Sequence, residues 1–361
     1  MKVRFHLTNV IGAGASQLLL SLLPAFERNL NLVVEKIYLP SSGALTTYKY
    51  LNSSSVAEVY NRYLPNSISR FLECTFLARK FNGSSPLVVF GDIPLRCSCP
   101  QIVFIQNAHL LKSRKSQIGF ERLRYWVLRS IFKSNLKYVS AFIVQTELMR
   151  LEIINAYPDI VGRVYVLSQP VPEWLISSGV KRVGRFLASN DSLSLIYPAA
   201  YYPHKNHQLL SKIASNSNWP IEKLLLTLED RFNPVPNLPW VFCCGFLPSE
   251  KIVNFYSSVD ALLYLSKEES YGFPLVEAMH VGLPIICPDL PYAHFLCGDN
   301  AIYFDPDSSD SLRSAVELLL QRFDSGWWPN WDEQLKVIPN DWDFVAKEII
   351  NIIVGCSKRS D

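Results

Sequence analysis

Two glutamates, Glu269 and Glu277, flank the string Ser-Tyr-Gly-Phe-Pro-Leu-Val, whose pattern is that of a loop turning into a helix. A proline favours a helix start there, because its fixed φ and missing N–H cost nothing in the first helical turn. The N–H groups of Tyr271, Gly272 and Phe273 would then face outward at a helix N-terminus, where they bind phosphate or another anion. Paired carboxylates suit the hydroxyl groups of sugars and riboses. The simplest ligand for this stretch is therefore a sugar nucleotide.

The elements around this stretch must hold it at the edge of a sheet. Residues 261–265 are an apolar run of strand length, and residues 283–287 form a second such run after the helix. Gly272 allows the backbone to approach a ligand closely. Each glutamate alone has a simpler explanation, since Glu277 in a first helical turn favours the helix dipole and Glu269 in a loop is solvated. Only the combination points to a ligand.

A second anion-binding stretch is Tyr-Tyr-Pro-His-Lys-Asn-His, residues 201–207. It follows a strand-like run and leads into a helix that is predicted to begin near Gln208. Lys205 at such a helix start, with His204 beside it, makes a cationic site for an anion. Lysines at helix starts are commonly just exposed, so this motif is weak without the first.

The N-terminal part of the chain has a strand at residues 3–10, a small-residue turn that contains Gly12 and Gly14, and a helix at residues 17–26. The same arrangement opens dinucleotide-binding folds. Here Gln17 occupies the place of the third glycine of that fingerprint. An NAD-dependent oxidoreductase is therefore only a weak alternative.

A candidate histidine follows a buried strand at residues 101–105, which is a nearly continuous apolar run of the kind found in parallel sheets. Ligands collect outside the carboxyl ends of parallel strands, which places His109 at a candidate site. A lone histidine at a strand end is more often structural than catalytic. The position of His109 alone does not show whether its role is catalytic or structural.

The first stretch also carries a family resemblance. The string that begins at Glu269 and ends at Glu277, followed by Ala-Met and by Gly282-Leu-Pro-Ile-Ile, resembles the Glu-x7-Glu signature of family 4 retaining glycosyltransferases. The resemblance implies an α/β fold of the GT-B type, in which two Rossmann-like domains face one another across a cleft and a C-terminal helix crosses back to the N-terminal domain. The expected domains are residues 1–178 on the acceptor side, residues 179–340 for the nucleotide sugar, and the returning helix at residues 341–361.

The resemblance also implies roles for the candidate residues. Glu269 would hold sugar hydroxyl groups, Glu277 would accept from the ribose, and His109 would face the donor sugar or the acceptor. The donor diphosphate would be bound by the lysine segment and the helix start, with the glycine turn approaching it; these residues are Gly12, Gly14, His204, Lys205, Ser270, Tyr271, Gly272 and Phe273. Family members usually carry an Arg ahead of the lysine, but residues 198–201 contain none. More of the phosphate charge should therefore rest on Lys205.

Composition excludes several other classes of protein. A chain of 361 residues that is 49% hydrophobic can bury two large cores, and its net charge of +3 is too small to indicate nucleic acid as a partner. Its start lacks the features of a secretory signal and its apolar runs are too short to span a bilayer, so we expect a cytoplasmic protein. The eight cysteines lack metal-binding spacing, and most should be buried and reduced. Cys97 and Cys99 are expected to be exposed, with metal binding there disfavoured.

A basic region extends over residues 112–137, where eight Lys and Arg side chains are interleaved with apolar residues at helical spacing. The simplest interpretation is a helix that packs on the core and exposes a basic face. A sharper hypothesis is that this region docks on anionic lipid at the inner face of the plasma membrane, if the acceptor is lipid-linked.

The function that the resemblance implies is transfer of a hexosyl unit, with retention and without a metal, from a GDP- or UDP-sugar to a glycan or lipid-linked acceptor. The resemblance favours a mannose-type donor and a surface polysaccharide such as O-antigen or capsule as the product. No cofactor is expected besides the donor substrate. A non-catalytic GT-B subunit that binds or scaffolds remains the main alternative.

Overall fold

The structure, a computed structural model, describes residues 1–50, 56–64, 66–110, 120–185, 192–214 and 218–357. The chain divides into two compact units. Unit 1 consists of Met1–Pro170 together with Pro339–Asp361, and unit 2 is Val171–Ile338. The first boundary lies before the one predicted, because the helix Glu173–Ser178 packs on the helix Ser249–Ser258 of unit 2.

Unit 1 is built on a seven-stranded, fully parallel sheet with the order β3-β2-β1-β4-β5-β6-β7. Its strands are β1 (Lys2–His6), β2 (Val33–Leu39), β3 (Val56–Val59), β4 (Leu87–Val89), β5 (Gln101–Ile105), β6 (Ala141–Val144) and β7 (Val164–Val166). Its helices are α1 (Ala13–Arg28), α2 (Asn66–Cys74), α3 (Phe120–Asn135), α4 (Glu147–Ala156) and a final helix at Trp342–Ser357. The strand order reverses between β1 and β4, so their carboxyl ends form the switch point of this sheet.

Unit 2 is built on a six-stranded parallel sheet with the order β10-β9-β8-β11-β12-β13. Its strands are β8 (Leu193–Tyr197), β9 (Ile221–Leu226), β10 (Val241–Cys243), β11 (Ala261–Leu263), β12 (Ile285–Pro288) and β13 (Ile302–Phe304). Its helices are α5 (Glu173–Ser178), α6 (Ser249–Ser258), α7 (Phe273–Val281), α8 (Pro291–Cys297), α9 (Ser309–Asp324) and α10 (Asp332–Lys336). Here the order reverses between β8 and β11, which follow each other in the sheet but not in the chain.

The last helix, α11 (Trp342–Ser357), belongs to unit 1 and packs on α1. Its apolar face is buried, with Val345, Ala346 and Ile349 fully covered, while Arg28 and Asp343 form an exposed ion pair of 2.7 Å at the edge. Burial of this face supplies the attachment, since an exposed ion pair adds little. The predicted return of the C-terminal helix to the N-terminal domain is confirmed.

Several local predictions were wrong. Gly14 lies inside α1, because the helix begins at Ala13 rather than at residue 17. Cys97 and Cys99 are buried rather than exposed, since both thiols pack into the core of unit 1 beside Phe81 and Leu95.

Across the residues that the structure describes, no helix combines the length and the apolar character needed to cross a membrane.

The predicted basic helix is present as α3, but only some of its apolar side chains are buried. Ile131 and Phe132 lie in the core, whereas Leu123 and Trp126 are exposed by 57% and 61%. The lysines and arginine of the segment before it, Lys112, Arg114 and Lys115, lie outside the described residues. The helix therefore presents apolar as well as basic groups to solvent.

Candidate active site

The candidate site in unit 2 lies at the switch point of its sheet. The loops that follow the neighbouring strands β8 and β11 lie side by side, and the Nζ of Lys205 is 2.5 Å from the Oε1 of Glu269. The lysine and glutamate side chains are only 17% and 11% exposed. Two residues that the sequence places in separate motifs thus form one largely buried ion pair at the edge where α/β sheets bind ligands.

The loop after β8 differs from the prediction in its secondary structure. Lys205 ends a short 3-10 helix, Pro203–Lys205, and the expected α-helix near Gln208 is a second 3-10 helix, His207–Lys212. Asn206 between them has a φ of +55°, a conformation that Asn tolerates better than most residues. The hydroxyl of Tyr197, the last residue of β8, donates to the Lys205 carbonyl at 2.7 Å. The backbone that carries the lysine is therefore fixed to the sheet.

Glu269 is held by a second donor besides the lysine. The hydroxyl of buried Tyr264 donates to the same Oε1 atom at 2.5 Å. Burial alone would raise the pKa of Glu269, but the charge and hydrogen bond of Lys205 and the tyrosine bond hold the pKa below its ordinary value. The carboxylate is therefore ionised at neutral pH. An ionised carboxylate accepts hydrogen bonds, which suits sugar hydroxyl groups.

The helix start that follows has the predicted geometry, shifted by one residue. Helix α7 begins at Phe273, with Pro274 in its first turn and Gly272 as its N-cap at φ +96°. Within the described part of the chain, the N–H groups of Gly272 and Phe273 have no hydrogen-bond acceptor. Together with the positive end of the helix dipole, these donors can bind an anion. Ser270 and Tyr271 precede them in the same loop, and the Tyr271 side chain is buried.

Glu277 lies in the second turn of α7 rather than in the first, because the helix begins earlier than expected. It is 7% exposed, and its Oε2 accepts a 2.7 Å hydrogen bond from the hydroxyl of Tyr256. Burial raises its pKa to about 7, although the tyrosine bond acts in the opposite direction. Glu277 is therefore not a solvated helix-dipole residue. It is a buried carboxyl group poised between its two protonation states near neutral pH.

His204 and His207 flank the lysine differently. The ring of His204 stacks on Tyr202, with 5.6 Å between the ring centroids. His207 is 1% exposed and packs beside Tyr197, and neither of its ring nitrogens has a partner among the described residues. Burial and the nearby charges of Lys205 and His204 lower the pKa of His207 to about 4. The neutral histidine is part of the packing beneath the lysine turn, a role that the sequence did not indicate.

The remaining predicted residues lie in unit 1. Gly12 is the N-cap of α1 and Gly14 is in its first turn, and a Cβ atom at either position would meet nothing within 4 Å. His109 lies in a short 3-10 helix, Ala108–Leu110, shortly after β5. The structure describes the backbone of His109 but not its side chain. The predicted roles of these three residues stay predictions.

Comparison with solved structures defines the class of this fold. Sucrose-phosphate synthase from Thermosynechococcus elongatus superposes with a TM-score of 0.65 at 13% identity, over 99% of this chain and all of that one. The HepE protein of Anabaena, solved in complex with UDP and glucose, gives a TM-score of 0.60 at 14% identity, over 98% and 99% of the two chains. The predicted GT-B fold is confirmed.

Sequence comparison shows which part of the chain carries the family resemblance. Residues 235–323 match the family model described as glycosyl transferases group 1. This segment contains Glu269, α7 and Glu277, so the resemblance predicted from those residues is confirmed for the part of the chain that carries them.

Curated relatives match over short segments. O-antigen chain mannosyltransferase B of Escherichia coli is 28% identical over 88 residues, which are 24% of this chain and 23% of the relative. O-antigen chain mannosyltransferase RfbU of Salmonella typhimurium is 38% identical over 66 residues, 18% of this chain and 19% of the relative. The matches thus span less than a quarter of the length of these relatives.

Proposed function

We propose that this chain is a glycosyltransferase that moves a hexosyl unit from a nucleotide diphosphate sugar to a glycan or lipid-linked acceptor during surface polysaccharide synthesis. The observation that carries the proposal is the buried pair of Lys205 and Glu269 beside the N-terminus of α7. A cation, two N–H donors and an ionised carboxylate at one strand edge match a ligand that is a diphosphate at one end and a sugar at the other.

Cleavage of the bond between the sugar and the diphosphate places negative charge on the leaving group, and the sugar becomes oxocarbenium-like. Lys205 and the N–H groups of Gly272 and Phe273 would stabilise the leaving charge. Glu269 would hold sugar hydroxyl groups, and buried Glu277 would accept hydrogen bonds from the ribose hydroxyl groups. A phosphate oxygen of the leaving group would take the proton of the incoming hydroxyl, with the anomeric configuration retained.

This scheme requires no metal if Lys205 and the N–H groups of Gly272 and Phe273 neutralise the diphosphate. Lys205 donates a hydrogen bond to Glu269, so a diphosphate that binds the lysine would compete with the carboxylate. Donor binding would then release a carboxylate oxygen for a sugar hydroxyl group. The two ends of the donor would be recognised together.

The proposal is tested by incubating the full chain with GDP- and UDP-hexoses and measuring release of the nucleoside diphosphate, with and without EDTA. We expect release from at least one donor, unaffected by EDTA. Lys205→Met and Glu269→Gln should each lower the rate by about 100-fold or more, the range seen when a group that stabilises developing charge is removed.

Two further variants control this experiment. Lys336→Ala removes an exposed lysine whose partner, Glu333, is also exposed, and its rate should equal that of the wild type. The double variant Lys205→Met/Glu269→Gln removes both buried charges, so it leaves neither unpaired. Full activity in both single variants would exclude this site. A wild type that binds a sugar nucleotide without turning it over would favour the binding-subunit alternative.

The donor proposed is a mannose-type sugar nucleotide, because the two curated relatives are named mannosyltransferases. The base, GDP or UDP, is left to a thermal-shift panel. A donor that binds only the folded protein raises the melting temperature by mass action. The donor that gives the largest shift should also be the one hydrolysed fastest.

We also propose that unit 1 contacts an anionic membrane through α2 and α3, which pack on each other. Among the described residues, the exposed large apolar side chains on and next to these helices are Ile68, Phe71, Phe76, Leu77, Leu123 and Trp126. Arg122 and Arg124 are exposed on the same helix as the last two. Exposed aromatic groups beside basic ones suit a negatively charged lipid surface, and a lipid-linked acceptor would be found there.

Sedimentation with vesicles of phosphatidylglycerol and phosphatidylcholine at low salt tests this contact. The wild type should bind, and Leu123→Ala/Trp126→Ala should reduce binding several-fold. Phe344→Ala, an exposed apolar position on α11, is the matched control and should not change binding. Equal binding of all three proteins, or binding by none, would exclude the surface.

A further inference from the structure

Asp92 has an unusual backbone conformation at the switch point of unit 1. It follows β4 with a φ of +67°, and among the described residues only Asn206 shares a positive φ outside glycine. Asn206 directly follows Lys205, the lysine of the candidate site. A left-handed conformation is unfavourable for any residue with a Cβ atom, so it persists where the surroundings demand it.

The carboxylate of Asp92 connects β4 to the end of the neighbouring strand. Its Oδ1 accepts the backbone N–H groups of Gln106 at 2.6 Å and of Asn107 at 3.1 Å, directly after β5. The side-chain amide of Gln106 donates back to the Phe90 carbonyl at 3.3 Å. The chain that leaves β5 is therefore fixed to the chain that leaves β4.

Arg70 of α2 supports the turn from the other side. Its guanidinium donates to the Gly91 carbonyl at 2.5 Å and lies 3.9 Å from the Oδ2 of Asp92. Both side chains are 17% exposed. The arginine thus holds the backbone just before the aspartate and balances its charge in a largely buried place.

The segment that Asp92 holds leads directly to His109. Asn107 accepts, through its carbonyl, the N–H of Leu110 at 3.2 Å and so closes the short 3-10 helix Ala108–Leu110. From the Asp92 carboxylate to the backbone of His109 the path is two hydrogen bonds and one helical turn.

We propose that Asp92 is a positioning residue, which fixes residues 106–107 and thereby sets the backbone from which His109 acts in the transfer reaction. This inference rests on the proposed function and on the role at the reacting sugar or the acceptor that the family resemblance implies for His109. Aspartate suits the position for two reasons. One oxygen can accept both N–H groups, and a short polar side chain tolerates the left-handed conformation.

The test compares two substitutions of this residue in the full chain. Asp92→Gly removes the acceptor and relieves the φ strain, so loss of function cannot be attributed to strain. Asp92→Asn keeps an oxygen in the place of Oδ1 and tolerates the same φ. Asp159→Gly, at an exposed position of unit 1, is the control for the general effect of a new glycine.

Asp92→Gly should lower the kcat of donor turnover by about tenfold or more, since small displacements of a catalytic group are costly. KM for the donor should change little, because the proposed donor-binding groups lie in unit 2. Asp92→Asn should restore most of the rate. Hydrogen exchange at the amides of Gln106 and Asn107 should be faster in Asp92→Gly than in the wild type and Asp159→Gly.

The same substitution is then repeated in a His109→Ala background. If Asp92 acts through His109, Asp92→Gly has no further effect there, whereas independent residues would have additive effects. Additive losses, or unchanged turnover and exchange in Asp92→Gly, would overturn the assignment of Asp92 alone. A wild type that releases no nucleoside diphosphate from any donor would instead overturn the proposed function, and the assignment with it.

Discussion

At the scale of single residues, the Oε1 atom of Glu269 is the centre of the candidate site, because Lys205 and Tyr264 both donate to it. The sequence predicted that the lysine binds the diphosphate and the glutamate the sugar hydroxyl groups of one donor, but it did not predict an ion pair between them. Their pairing could not be predicted, since it depends on two loops that are distant in sequence. Tyr264 gave no signal, because an aromatic residue at the end of an apolar strand is usually only a core residue.

Removing the tyrosine hydroxyl tests how far Glu269 depends on it. In Tyr264→Phe the pKa of Glu269 should rise and donor turnover should fall by about tenfold, the effect of losing one hydrogen bond to a charged group. Tyr48→Phe is the matched control, because it removes a 2.9 Å tyrosine–glutamate hydrogen bond in unit 1. Equal turnover in both variants would mean that the Tyr264 hydroxyl is not needed to orient the carboxylate.

The raised pKa of Glu277 predicts a pH dependence of stability. Its pKa is about 7 in the folded protein and close to 4.5 when unfolded, so the folded state binds the proton more tightly. Stability from this group is fully present below pH 4.5 and is lost as pH rises to about 7. Glu277→Gln, which cannot ionise, should remove this loss, which is on the order of 3 kcal/mol.

Denaturant unfolding of the wild type and Glu277→Gln at pH 5 and pH 8 measures the effect. The variant should gain stability relative to the wild type at pH 8. A difference between the two proteins that is the same at both pH values would show that Glu277 is not responsible.

At the scale of elements, α7 is bounded by two glycines in the left-handed conformation, Gly272 at φ +96° and Gly282 at φ +89°. The helix and its start were predictable, because proline at a helix start leaves a local signal. The different surroundings of the two glycines were not predictable from the sequence. A Cβ at Gly282 would clash with the Arg182 carbonyl oxygen, whereas the nearest atoms to one at Gly272 belong to flexible leucine side chains at 3.2 Å and beyond.

Alanine substitutions should separate these two ends. Gly326→Ala, at φ +75° with open space around it, gives the cost of the backbone conformation alone, about 1–2 kcal/mol. Gly282→Ala should cost clearly more, because backbone must also move. Gly272→Ala should cost about as much as Gly326→Ala but should also weaken donor binding, which thermal shifts in the presence of donor would measure. Equal stability of Gly282→Ala and Gly326→Ala would contradict this assignment.

At the scale of the whole molecule, the parallel α/β architecture was predictable from apolar runs that alternate with helical patterns. Strand β3 was not predictable, since all four of its residues are exposed at the edge of the sheet and show no alternation of buried and exposed positions. The strand orders also could not be predicted, because each switch point depends on which distant strand pairs with β1 or β8. The ion pair of Lys205 and Glu269 lies at the switch point beside β8.

Truncation tests the attachment of α11 to unit 1. A chain that ends at residue 338 lacks α11 and exposes the apolar face of α1, so unit 1 should unfold at lower temperature and become sensitive to protease. Unit 2 should remain protected. Removal of residues 358–361 alone is the control and should have no effect. Equal protection of unit 1 in both truncated chains would show that α11 contributes little.

The position of α11 in the chain also has a consequence for synthesis on the ribosome. All residues of unit 2 leave the ribosome before α11, which unit 1 needs to cover α1. Domains generally fold as units during translation. Unit 2 follows most of unit 1 in the chain and can therefore complete its core first. The apolar face of α1 stays uncovered until α11 is translated after unit 2.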